Sequence, residues 1–182
     1  MTVLNILRRV RLGTAFLKCM AVLLAYVFGF YVTRHFREES GGMGAVLACT
    51  SAIVVLQDNN LKNSLHSAWL RVLGTFIGAF IAWIYLLFYP FSVMGMIVAV
   101  FVLEIICMLL KVPDDGKMAT ITLTVVLVIS QRYPDLPPWE NGLLRFSEAA
   151  VGAGIGIFMV WLEFVSQKIW KRMKTSATKN RE

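Results

Sequence analysis

The residues in this chain best placed to do chemistry are four ionisable side chains set among apolar neighbours: Lys18, Glu104, Arg145 and Glu148. A charge inside an apolar segment is costly to keep, so each is a candidate for binding or proton transfer. Lys18 stands about six residues into its apolar block and Glu104 about seven residues before Lys111, so at about 1.5 Å per residue both are expected roughly 9–10 Å deep. A Lys18–Glu104 pair is then feasible. Glu104 would accept a proton, since apolar surroundings disfavour a carboxylate, and Lys18 would be its partner or a binder of an anionic substrate. The plain alternative is that Lys18 snorkels to the interface along its stem. Arg145 and Glu148, three apart on one helix face near the expected outer surface, can satisfy each other. Arg71 is expected at the inner end of its span, so that Arg71 and Arg145 stand at related mouths of a mildly cationic route, or simply anchor helix ends.

Hydroxyls and amides form a second set. Thr50, Ser51 and Gln57 lie in one apolar block, and Thr120, Thr122, Thr124, Ser130 and Gln131 in another. Thr50, Gln57, Thr124 and Gln131 are the expected substrate contacts, against the alternative that Ser and Thr bond back to their own helix backbone. Cys19, Cys49 and Cys107 fall in different apolar blocks without paired spacing and read as small core residues. His35 and His66 lie far apart and neither belongs to a His–Cys cluster of the metal-binding kind, so no metal and no cofactor is expected. With no nucleophile–base pair or metal cluster in any loop, a conventional enzyme is not expected either.

These side chains must be positioned by membrane helices. Of the 182 residues 58% are hydrophobic and only 16% charged, far from the roughly 25% charged of soluble domains. The apolar residues form six blocks near 13–33, 42–57, 67–89, 92–110, 118–131 and 143–165. Ser40-Gly41-Gly42, Tyr89-Pro90, Val112 to Gly116 and Pro134 to Gly142 carry the residues that stop helices and make turns. The first block is too long for a signal-peptide core, and no small-residue cleavage site follows Thr33.

Arg8, Arg9, Arg11, Lys62, Arg71, Lys111, Lys117 and the tail residues Lys168, Lys171, Arg172, Lys174, Lys179 and Arg181 fall on one side; Arg34, Arg37 and Arg132 fall on the other. Positive charge stays cytoplasmic, so both termini are expected there. Topology thus accounts for the net charge of +7 without a nucleic-acid partner, and the basic tail has at most a minor role against anionic headgroups.

The sequence also matches itself at an offset of 74. Ala45, Thr50, Val54 and Gln57 fall on Ala119, Thr124, Val128 and Gln131; Leu70, Arg71, Gly78, Ala79 and Ile81 fall on Leu144, Arg145, Gly152, Ala153 and Ile155. Three spans per repeat would make the second half enter from the opposite side, an inverted repeat with its site between the halves, marked by short matching spans two and five. Gly74, Gly78, Gly152 and Gly156 have the spacing that lets helix backbones approach closely. Gly152, Gly154 and Gly156 follow no strand and precede no GK[ST], which rejects a phosphate loop.

The run Ala52 to Gln57, a polar turn with Ser64 and Ala68, and then Arg71-Val72-Leu73-Gly74-Thr75-Phe76-Ile77-Gly78-Ala79 resembles the core motif of the fusaric-acid-resistance and aromatic acid exporter proteins. Arg145-Phe146-Ser147-Glu148 followed by Gly152 resembles that family's second mark. The resemblance implies a six-span membrane domain paired with a second copy, exporting aromatic or other organic carboxylates with proton coupling. Similarity to plant malate channels leaves passive anion conduction as a variant. Only about 17 residues follow the expected last span, whereas larger relatives carry cytosolic domains, so pairing with itself is the simplest expectation.

The reading that results is an all-α polytopic membrane protein of two inverted three-helix repeats, about 13–89 and 92–165, between a cytoplasmic segment 1–12 and a basic tail 166–182. Its expected function is proton-coupled export of organic carboxylates as a homodimer in the lipid bilayer. The alternatives are an anion channel and a non-transporting membrane subunit.

Overall fold

Several of the helix boundaries fall where the sequence offers a start or stop signal. In the computed structural model, residues 12–57, 60–111 and 116–179 are described, and among them the chain is helical throughout, with no strand. Six helices follow in order: α1 (Leu12–Phe36), α2 (Gly41–Val55), α3 (Leu61–Phe88), α4 (Val93–Leu109), α5 (Lys117–Arg132) and α6 (Pro138–Lys179), with a single 3-10 turn at Glu38–Ser40 before α2. Every apolar block expected from sequence overlaps one of them. The expected turn at 112–115, the residues Arg8, Arg9 and Arg11, and Arg181 lie outside the described residues.

The caps are local chemistry. Asn60 is extended and its side chain accepts from the Lys62 amide at the start of α3. Tyr89 closes α3 in an extended conformation because Pro90 follows it. Ser92 then accepts from the Gly95 amide to open α4. Gly116 takes a left-handed φ of 75° before α5, and a Cβ there would press on the Cys107 thiol. Pro138 begins α6, where its missing amide costs nothing, and Glu140 sits in the first turn, where the helix dipole favours an acid.

By length and composition α1, α3 and α6 can cross a membrane, over Gly13–Phe36, Leu61–Phe88 and Pro138–Ser166. α2 and α5, with 15 and 16 residues, reach only about 22–24 Å against a hydrocarbon core of roughly 30 Å. Outward faces are strongly apolar: Phe16, Tyr31, Phe101, Met108 and Leu109 are all exposed. Such surfaces suit lipid, and where lipid is the solvent, helices associate by close fit rather than by leaving water.

That fit divides the bundle unexpectedly. α1 and α2 pack on each other and on α6, whereas α4 and α5 pack on each other and on α3. The long helix of each half therefore serves the other half, and α3 and α6 join along their lengths. Ala21, Leu56, Met159 and Val160 fill one side; Ala79, Ala82, Leu103, Cys107, Leu123 and Leu127 fill the other. Glycines make the crossings close. A Cβ on Gly78 would run into the Ala119 carbonyl of α5, and one on Gly152 into the Ala48 carbonyl of α2. Gly74 faces Met118 and Ala119, and Gly156 faces Ala52 and Val55.

Arg37 ties two connections together. Its Nη2 donates to the Asp135 carbonyl at 2.9 Å and its Nε lies 3.7 Å from Glu140 Oε1, joining the α1–α2 turn to the start of α6.

Of the cysteines expected in the core, Cys107 is buried and Cys49 half-buried, but Cys19 is exposed. Its position turns it away from the α2 and α6 contacts that bury Ala21 and Ala25.

Candidate functional site

Helical geometry selects which side chains meet between α2, α3, α5 and α6. Residues four apart share a face, so Leu47 and Ser51 on α2, Arg71 and Thr75 on α3, Ile121 and Val125 on α5, and Arg145 and Ala149 on α6 all line one central pocket, joined by Thr122. It is small, about 10 Å³, the lower limit for one water. Four of these positions are the other four moved by 74: Leu47 with Ile121, Ser51 with Val125, Arg71 with Arg145, and Thr75 with Ala149.

Both arginines are buried, at 6% and 3% exposure. This corrects their expected place at the mouths. Arg71 is ten residues inside α3 and Arg145 seven inside α6, about 15 and 10 Å from the helix starts, because both helices begin earlier than the apolar blocks suggest. Arg71 Nε donates to Ser51 Oγ at 3.0 Å and Nη1 to the Met118 sulfur at 3.2 Å. Ser51 in turn donates to the Leu47 carbonyl, and Thr75 to the Arg71 carbonyl.

Arg145 has different neighbours. Its Nη1 lies 2.8 Å from Glu148 Oε2, while its Nε and Nη2 have no hydrogen-bond partner. Glu148 is fully buried, and its Oε1 accepts from Thr33 of α1 at 2.7 Å. Gly44 of α2 makes the room: a Cβ there would collide with the Thr33 hydroxyl and stand 2.6 Å from Glu148 Oε1. The pairing of Arg145 with Glu148 is as the spacing suggests, but the pair lies in the interior.

The other expected contacts lie elsewhere. Thr50 is exposed and donates to the Leu47 carbonyl; Thr124 is half-buried and donates to the Thr120 carbonyl. Gln57 and Gln131 are exposed near the ends of α2 and α5. One step of about 100° separates Thr50 from Ser51, and that step turns the threonine away from the pocket. Ser51, Thr75 and Thr122 are the hydroxyls that line it. Lys18 and Glu104 form no pair: Lys18 is exposed on α1, and half-buried Glu104 on α4 accepts from Thr120. Equal depth is not proximity, since α1 and α4 flank opposite sides of the bundle.

A second, larger groove of about 310 Å³ opens outward between α3 and α6 and is walled by Phe76, Phe80, Trp83, Trp139 and Phe146. Phe76 and Phe146 directly follow Thr75 and Arg145, and their rings meet edge to face at 6.0 Å.

The family described as fusaric acid resistance protein-like matches residues 19–159, from within α1 to within α6. The chain belongs to the fusaric acid resistance protein-like family. No curated protein and no solved structure matches it. Membership of that family, together with the long apolar helices, makes it a membrane protein of transporter type. The match includes Arg71, Arg145 and Glu148.

Proposed function

We propose that this chain moves small organic anions across the membrane, as a proton-coupled exporter of aromatic or other organic carboxylates. The observation that carries the reading is the convergence of Arg71 and Arg145 on one buried pocket. Two guanidiniums and one carboxylate leave a surplus positive charge there, and a guanidinium matches a carboxylate with two parallel donors. Leu47, Ile121, Val125 and Ala149 offer an apolar body something to touch.

The two halves are an inverted repeat working by alternating access. This is supported by the paired pocket positions and by the exchanged long helices, α6 on α1–α2 and α3 on α4–α5. Six spans also place the α1–α2 and α5–α6 connections on one membrane face, in keeping with the Arg37 contacts to Asp135 and Glu140. The lysine and arginine distribution puts that face outside, with both termini cytoplasmic in a bacterial inner membrane, and the active form is a homodimer. A pocket of about 10 Å³ must widen to admit cargo, as alternating access requires of a closed intermediate.

The test uses purified protein in liposomes loaded with benzoate and related aromatic carboxylates, with release followed with and without an imposed pH gradient. Gradient-dependent release, lost in Arg71→Gln and Arg145→Gln, is the expected result. Release indifferent to the gradient makes the protein an anion channel. No release from folded dimeric protein sinks the transport reading in favour of a membrane subunit.

A further inference from the structure

We propose that Glu148 is the coupling carboxylate of this pocket, a built-in anion that occupies Arg145 until it is protonated and the substrate carboxylate takes its place. The proposal rests on the central pocket being the anion site.

Glu148 has no exposed surface and is held by two groups, Arg145 at 2.8 Å and Thr33 at 2.7 Å. Breaking a buried ion pair so that one member stays charged without its partner is costly, so the interior resists any state in which Arg145 or Glu148 is charged alone. Substrate entry with Glu148 ionised would put two carboxylates on one guanidinium. Entry with Glu148 protonated restores the count. One proton binds the Glu148 carboxylate, the Arg145–Glu148 ion pair breaks, and the Arg145 guanidinium pairs with the incoming carboxylate. Thr33 turns its hydroxyl to accept from the new acid. One proton and one anion enter together and the buried charge is unchanged.

Among the described residues the surroundings contain no rival for this role. The groups that face Glu148 and Arg145 are Thr33 from α1, Gly44 and Ser51 from α2, Arg71 and Thr75 from α3, and Thr122 from α5. Arg71 is the one charged group among them, and its donors go to Ser51 and Met118. The unpartnered Nε and Nη2 of Arg145 are further donors that a substrate carboxylate can take up. Glu104, by contrast, stands outside the pocket with Thr120.

Binding of benzoate to the purified full chain, measured by calorimetry in buffers of different ionisation enthalpy, reads proton uptake directly. About one proton per benzoate is expected for the wild type, with affinity falling as pH rises. In Glu148→Gln the uptake should vanish, binding should become independent of pH, and at alkaline pH the affinity should exceed wild type by at least about tenfold. Glu104→Gln should retain wild-type uptake. Thr33→Val, which takes a charge-assisted donor from the ionised form and only a weaker neutral acceptor from the acid, should bind benzoate to higher pH than wild type, and it tests the same step if the glutamine variant does not fold. Unchanged proton uptake in Glu148→Gln, or an unmoved profile in Thr33→Val, overturns the proposal while benzoate binding lost in Arg145→Gln still upholds the site. No benzoate binding by the wild type overturns both.

Discussion

Arg71 and Arg145 occupy matching places and keep unlike company. Each lies on the pocket face of the long helix of its half, 74 residues apart in a repeated pattern. Arg71 rests on neutral groups, a serine hydroxyl and a methionine sulfur. Arg145 rests on a carboxylate, for where the second half carries Glu148 the first carries Gly74, pressed against Met118. Likewise Thr33, which holds Glu148, has Cys107 as its counterpart. Two matching positions thus carry one charge on neutral partners and one charge that is internally paired. Under the proposed mechanism, the matching positions supply the pocket and the departure from the match supplies a place for a proton to act.

Substitutions can test that contrast. Arg145→Met should have the largest effect, since it leaves Glu148 charged and alone in the interior: about 3–5 kcal/mol of stability by denaturation in detergent, with much of it recovered in the Arg145→Met, Glu148→Gln double variant. Arg71→Met strands no carboxylate and should cost clearly less; equal losses for the two would erase the distinction. The glycine crossings probe what the halves share. Gly78→Leu and Gly152→Leu should each destabilise by about 1–3 kcal/mol or more through overpacking, in similar measure, whereas Gly154→Leu, with open space before it, should be nearly silent. Effects comparable to the glycine crossings or smaller belong to the two threonine–carboxylate bonds. Thr33→Ala strips a fully buried carboxylate and should cost about 1.5–3 kcal/mol, and Thr120→Ala, at half-buried Glu104, less than about 1. The reverse order would mean that Glu104 is the more dependent carboxyl.

Much of this was legible in the chain because apolar blocks and turn residues are local signals. Each of the six described helices overlaps one of those blocks, although α3 and α6 begin earlier than the blocks suggest, and the offset that pairs Arg71 with Arg145 needs only the letters. What was not legible depends on rotation and on neighbours. Thr50 and Ser51 are adjacent in sequence, yet one faces outward and the other receives Arg71; only the packing of α2 against α6 decides between them. Counting depth along single helices brought Lys18 to Glu104 and left Glu148 at the surface, because depth says nothing about which helices touch. A sharper signal was present. Thr75 and Ala149 stand four residues after the two arginines, on the same helix face, which marks that face as the one turned inward at both repeats.

Arg37 carries a last consequence. It joins the two connections on its face through one carbonyl and one carboxylate, with its side chain 32% exposed and that of Glu140 26%. An ion pair so wetted contributes about 1 kcal/mol at most, a population ratio of only about five to one. The clasp is therefore open in an appreciable share of molecules at any instant. Its occupancy should also follow ionic strength, since a Debye length of about 8 Å at physiological salt contracts to about 3 Å at 1 M. The salt in the surrounding medium therefore sets how often that clasp comes undone.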